Sequence, residues 1–298
     1  MKVLLTGAKG QLGQALIAQQ PGQIQLMTTN RTQIDLADPK ACMMAVQEHQ
    51  PDWLINAGAY TAVDQAEREP ELAYAVNAGA PRAFAEALQS SGGRLLQLST
   101  DFVFNGAQGK PYATDQRRDP LGVYGSSKAA GEEAVEEVMA GAGSATILRT
   151  SWLMGPVGKN FALTMLRLHR ERDQIAVVAD QVGCPTSTLT LAAACWRLIN
   201  RSWDHADLAL PERLHWCDSG AASWYDVAVA IGDLGQELGL IKQPAVVKPI
   251  STADYPTPAK RPSYSLLDCL TSRQVLKLRG QHWRSALNDV LRQVAASE

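Results

Sequence analysis

Val3-Leu4-Leu5-Thr6-Gly7-Ala8-Lys9-Gly10-Gln11-Leu12-Gly13 decides the fold. A short apolar run gives way to glycines spaced three apart, and a segment of helical period follows. A strand that turns sharply into a helix at glycines presents bare backbone N–H groups beyond the strand end. Gly7 permits the tight turn, Gly10 lets a pyrophosphate approach the backbone at the helix N-terminus, and Gly13 lets the helix pack closely on the sheet. Glycines after a strand often mark only a turn. Their place here, between a strand and an amphipathic helix, argues for a dinucleotide site at Gly7, Gly10, Gln11, Leu12 and Gly13.

The same alternation continues outward. Apolar runs at Val3–Thr6, Ile24–Thr28, Trp53–Asn56, Leu95–Ser99 and Thr146–Leu148 predict strands separated by helical segments. Leu72, Val76, Ala80, Ala83, Phe84, Ala87 and Leu88 recur three and four apart, which predicts one long helix ended by Gly92-Gly93. Repeated βαβ units imply an α/β fold, a Rossmann-like doubly wound parallel sheet. After Arg149 the rhythm loosens, with Gly and Pro clusters between helical stretches at Leu189–Ile199, Tyr225–Leu238 and Ser285–Ala295. The expected division is a dinucleotide-binding domain at residues 1–150 and a mainly substrate-binding, smaller C-terminal lobe at 151–298, with segments returning to the first domain.

Composition narrows the function classes. The 298 residues are 46% hydrophobic and 19% charged, ordinary for a globular protein and unlike a disordered one. A net charge of -2 argues against a nucleic-acid partner. Five scattered cysteines, with no Cys-x-x-Cys spacing, read as reduced thiols of a cytoplasmic protein. The apolar run at the N-terminus is far shorter than a signal-peptide core, and no segment has the length to span a bilayer.

The end of the second strand should meet the adenosine ribose. A carboxylate there would favour NAD, but the sequence reads Thr28-Thr29-Asn30-Arg31. Asn30 and Arg31 therefore favour NADPH, with NADH possible, because a guanidinium offers a permanent charge to a phosphate; the other reading of Arg31 is a solvated loop residue. Tyr124-Gly125-Ser126-Ser127-Lys128 places Tyr124 and Lys128 on one helix face, after a strand ending in Ser99-Thr100-Asp101. Ketone reduction needs a proton donor: Tyr124 fits, Lys128 would lower the phenol pKa and bind ribose hydroxyls, and Thr100 would orient the ketone oxygen.

With these residues the chain resembles the dTDP-4-dehydrorhamnose reductase family of extended short-chain dehydrogenases. The likeness runs through Ile55–Asp64, Ser99–Phe104, Tyr124–Glu132, Arg149–Trp152, Asp180–Thr186 and Tyr255–Pro262. It implies hydride transfer from NADPH to a dTDP-linked 4-keto-6-deoxy sugar. By the same resemblance Thr100, Asp101 and Trp152 meet the sugar, Asp35 and Leu36 meet the adenine, and Ala57, Gly58 and Ala59 lie under the cofactor ribose. Arg261 reads either as a clamp on the substrate diphosphate or as a solvated arginine.

Related dehydratases carry Thr-Asp-Glu; here the third residue is Phe102, which removes the base needed for elimination. Some similar enzymes carry a glutamate on the first helix that joins a metal-bridged dimer. Ala15 stands at the matching place, and His49, His169, His205, His215 and His282 lack ligand spacing, so no metal is required. The oligomeric state stays open. A non-catalytic NADP-binding regulatory subunit and a reductase of another nucleotide-linked keto sugar are the competing readings.

Overall fold

In the computed structural model, which describes residues 1–141, 143–204 and 210–298, the N-terminal apolar run is an inner strand of a parallel sheet. β1 (Lys2–Thr6) pairs with β2 (Gln25–Thr28) on one side and β3 (Trp53–Asn56) on the other. Beyond β3 follow β4 (Arg94–Thr100), β5 (Ala145–Thr150) and the edge strand Arg213–His215, giving six strands. The chain leaves β1 for β2, then returns past β1 to β3. The C-terminal ends of β1 and β3 therefore flank a crevice, the place where open α/β sheets bind ligands.

Alternate side chains of the strands face opposite layers, as the pleat requires. Val3, Leu5, Ile55, Leu96 and Leu98 pack with α1 (Gln11–Ala18) and the helix Thr188–Asp204. Leu4, Leu54, Leu95 and Ile147 pack under α2 (Pro39–His49), α3 (Ala80–Ser91) and α4 (Val123–Met139). Both faces are covered, so the strands read as near-continuous apolar runs.

The predicted helix over Leu72–Leu88 exists, but it is not a uniform α-helix. Pro70–Tyr74 runs through a π-helical turn at Ala75–Gly79 into α3, which Gly92 ends in the left-handed region at φ 78°. Pro81 explains the turn. It lacks the N–H that would bond the Asn77 carbonyl, and its ring crowds that oxygen. The released carbonyl faces α4 so closely that a Cβ on Gly131 would lie 2.0 Å from it.

The edge strand Arg213–His215 was not foreseen, because three residues carry no legible period. It returns to the sheet beside β5, and Thr188–Asp204 packs on α1. Other C-terminal elements form a second apolar cluster. There α5 (Phe161–Glu171) lies against Trp224–Glu237, a parallel pair joins Gln174–Val178 to Val246–Ile250, and Trp283–Ser297 closes the layer. That strand pair also went unpredicted. All five cysteines are unpaired and buried, and no helix among the described residues is long and apolar enough to cross a membrane.

Candidate functional site

Two groups of residues meet at the strand ends. The first surrounds the glycine turn. Gly7 has φ 68°, and a Cβ there would sit 2.7 Å from the Gly58 amide nitrogen, so no other residue fits without moving the neighbouring turn. A Cβ on Gly13 would meet the Gly7 carbonyl at 2.3 Å. Gly10 caps α1 without a side chain, leaving the first N–H groups of the helix without intrahelical partners.

Beside this turn lies a cavity of about 180 Å³ whose walls include Gly7, Arg31, Asp35, Leu36, Gly58 and Ala59. Asn30, also expected, lines it too, and Thr6, Thr29, Ile34, Tyr60 and Val76, which were not expected, complete it. A glycine cradle over bare helical N–H groups, an apolar wall at Ile34, Leu36 and Val76, and an exposed arginine fit a phosphorylated dinucleotide.

Not every expected residue serves in the expected way. The Leu12 side chain is buried in the core, so only its backbone N–H faces the turn. Gln11 is held by the lobe: its Nε2 donates to the Leu153 carbonyl at 3.3 Å and its Oε1 accepts from Asn160 at 3.2 Å. Asn30 folds its amide onto Thr32 and Gln33. Ala57 lies outside the cavity walls and packs against the core.

The second group stands at the end of β4. The Thr100 hydroxyl donates to Asp101 Oδ1 at 3.0 Å and accepts from the Phe102 N–H at 3.2 Å, and its proximity lowers the Tyr124 pKa against the larger effect of burial. Phe102 meets the Tyr124 ring edge-on, with centroids 5.4 Å apart. A Cβ on Gly125 would lie 2.3 Å from the Phe102 carbonyl, so that glycine lets α4 close onto the turn. Lys128 is buried and donates to the Leu98 carbonyl at 2.7 Å.

One expectation is overturned here. Lys128 does not lower the Tyr124 pKa: burial pushes the phenol up to about 12 and the lysine down to about 8. The ammonium is aimed at a backbone carbonyl, so loss of water dominates both groups. Asp101 is buried as well, which pushes its carboxyl up to about 6, and its Oδ2 has no hydrogen-bond partner.

Trp152 adopts φ 46°, a strained value for a bulky residue, and its indole stacks on Trp224 at 3.6 Å. Arg261 is not free. Its Nη2 donates to Asp64 Oδ2 at 2.8 Å and its Nη1 to Asp64 Oδ1 at 3.1 Å and the Ala259 carbonyl at 3.0 Å.

The largest omission from the sequence reading is Asn77. Its side chain accepts from the Tyr60 N–H at 2.9 Å and donates to the Tyr60 carbonyl and Ser127 hydroxyl, each at 3.0 Å, tying the cavity wall to α4. An asparagine inside a helical pattern, four residues before Pro81, was the available signal. Ala15 is buried between α1 and Thr188–Asp204. His169 and His215 are buried in hydrogen bonds, and His282 caps the last helix. His205 lies outside the described residues.

Residues 1–296 match the RmlD substrate binding domain family. The chain is 38% identical over 286 residues to a dTDP-4-dehydrorhamnose reductase of Sinorhizobium fredii, covering 96% of this chain and 95% of that protein. It is 40% identical over 287 residues to one of Streptomyces griseus, covering 96% and 91%. The crystal structure of a dTDP-4-dehydrorhamnose reductase from Bacillus anthracis in complex with NADP is similar at TM-score 0.89 and 34% identity, covering 98% and 99%.

Proposed function

The chain belongs to the RmlD substrate binding domain family, and from that premise we propose that it is an NADPH-dependent reductase converting dTDP-4-dehydro-L-rhamnose to dTDP-L-rhamnose. The observation that carries the reading is the docking of the Tyr124 helix on the turn after Thr100, with the Tyr124 ring edge-on to Phe102 and Gly125 closing onto the Phe102 carbonyl, at the same end of the sheet as the glycine cradle. NADPH held there would supply the hydride for the C4 ketone.

The protein residues handle the oxygen. Tyr124, with its pKa near 12, stays protonated throughout the neutral range and holds the proton that the forming alkoxide takes. Thr100 donates to the same oxygen and orients it. Lys128 is an ammonium at neutral pH, would restore the phenol proton, and is the residue that would hold the ribose hydroxyls of the bound cofactor. Asp101 and Trp152 contact the sugar, and Arg31 favours the phosphorylated cofactor. Phe102 places a hydrocarbon edge where elimination would need a base.

The test is NADPH oxidation with a panel of dTDP- and GDP-linked 4-keto sugars. Turnover is expected with dTDP-4-dehydro-L-rhamnose. Tyr124→Phe should lower kcat by about a hundredfold to ten-thousandfold while NADPH affinity changes little. Tight NADPH binding without turnover on any sugar would favour the regulatory reading, and a near-wild-type Tyr124→Phe would remove Tyr124 as the acid.

A further inference from the structure

Three side chains on one face of α4 dock in turn on β4. Tyr124 packs on Phe102 just past the strand end, Lys128 donates to the Leu98 carbonyl, and Glu132 accepts from the Ser99 hydroxyl. They are spaced four apart, so each stands one turn above the last. Glu132 and Arg149 are 1% and 0% exposed. Arg149 grips the carboxylate with Nε to Oε1 at 2.9 Å and Nη2 to Oε2 at 2.6 Å, and Arg118 Nε adds a bond to Oε2 at 2.6 Å. The remaining Arg149 nitrogen reaches the Thr114 carbonyl at 3.1 Å and His215 Nε2 at 3.2 Å.

A buried ion pair is a weak device for stability, since apolar side chains of the same volume often serve as well. The charge has another use here. Lys128 has lost its water, and its direct partner, the Leu98 carbonyl, is neutral. Tyr124 and Glu132 stand one turn away on either side along α4; Arg149 from β5 and Arg118 from the loop before α4 bond Glu132, His215 from the edge strand bonds Arg149, and Asp101 follows the strand that Lys128 bonds. Burial holds His215 neutral by taking its pKa down to about 3. The Glu132 carboxylate is the group that favours the Lys128 ammonium.

We propose that Glu132 is a positioning residue for the reduction: a fixed anion, clamped by Arg149, that keeps Lys128 charged and seats α4 against the strand bearing Thr100. The inference rests on the catalytic reading of Tyr124 and Lys128 given above.

Glu132→Gln keeps the shape and removes the charge. The Lys128 ammonium is titrated by NMR of its side-chain nitrogen in the ligand-free protein, with the signal identified by its loss in Lys128→Met. The midpoint is expected to fall by about one unit or more, a tenfold change in the ammonium equilibrium. The alkaline limb of the kcat–pH profile should move down by the same interval, with turnover recovering toward acid pH. Glu132→Asp, which retains the charge, should stay near the wild-type midpoint, and Ser99→Ala should lower kcat without moving it.

An unmoved midpoint in Glu132→Gln, or a kcat loss equal at every pH, overturns the proposal. Should that variant fail to fold with Arg149 unpaired, Glu132→Gln is made in an Arg149→Met background and compared with Arg149→Met alone; an equal Lys128 midpoint in those two proteins is equally fatal. Absence of turnover in the wild type would defeat the reductase reading instead, while the titration still decides whether Glu132 holds the charge on Lys128.

Discussion

Burial governs ionisation at the end of β4, and Asp101 shows the consequence for stability. Its carboxyl is pushed up to about 6 by loss of water, and Oδ2 finds no partner. A raised folded-state pKa means that the folded protein holds this proton more tightly than the unfolded chain. The associated stabilisation is complete below about pH 4, the ordinary carboxylate pKa, and is lost as pH rises through about 6. Ionised Asp101 thus costs the fold about 1–3 kcal/mol at neutral pH. Asp101→Asn is expected to raise Tm by a few degrees at pH 7.5 and by much less at pH 4, while lowering kcat/KM for the sugar. Thermal unfolding at the two pH values checks this; an equal Tm change at both would show that the carboxylate is not strained. Sequence reading found Asp101, Tyr124 and Lys128 through motif and spacing. It could not find their ionisation, because spacing says nothing of whether the Lys128 ammonium faces the phenol or the Leu98 carbonyl.

The elements around these residues are held by close backbone approaches. Periodicity revealed the long helix up to Gly92, yet the π turn at Ala75–Gly79 escaped it, since the apolar stripe is compatible with either ladder. The turn matters because it lets the Asn77 carbonyl approach α4 at Gly131, while the Asn77 side chain holds Tyr60 and Ser127. Gly131→Ala would set a methyl 2.0 Å from that carbonyl, against backbone that cannot swing aside as a side chain can. Overpacking of this kind costs about 1–3 kcal/mol. The expected result is a lower Tm together with weaker NADPH binding and slower turnover, because one displacement moves both the Tyr60 wall and the Tyr124 helix. Calorimetry and an NADPH titration measure the two effects; loss of stability with unchanged binding would mean that the helices separate without disturbing the cavity.

At the scale of the molecule, the C-terminal half has to be fastened to the sheet that carries the cavity beside the glycine turn. The sequence showed the loosened rhythm after Arg149 but not which pieces return, because the edge strand and the pairing of Gln174–Val178 with Val246–Ile250 depend on partners far apart in the chain. Among the polar ties that span the halves, two lie near the glycine turn and the end of β3. Asn160 and the Leu153 carbonyl hold Gln11 beside the glycine turn, and Arg261, in the Pro-rich segment, holds Asp64 beyond β3. The Arg261 guanidinium also bonds Thr257 and the Ala259 carbonyl, so it closes its own loop while gripping Asp64. That pattern favours a fastener over a free phosphate clamp, and the two roles differ in what they predict. As a fastener, Arg261 and Asp64 act together: Arg261→Ala and Asp64→Asn should each raise the substrate KM by less than about tenfold, in keeping with roughly 1 kcal/mol for a partly exposed pair. The double variant should be little worse than either single one, since the second change removes an interaction already gone. As a clamp on the substrate diphosphate, Arg261 would act alone. Arg261→Ala would then raise KM by about tenfold or more, whereas Asp64→Asn would free the guanidinium and leave KM unchanged or lower. A double-mutant cycle on KM separates the two, and a rise confined to Arg261→Ala would return this arginine to the substrate.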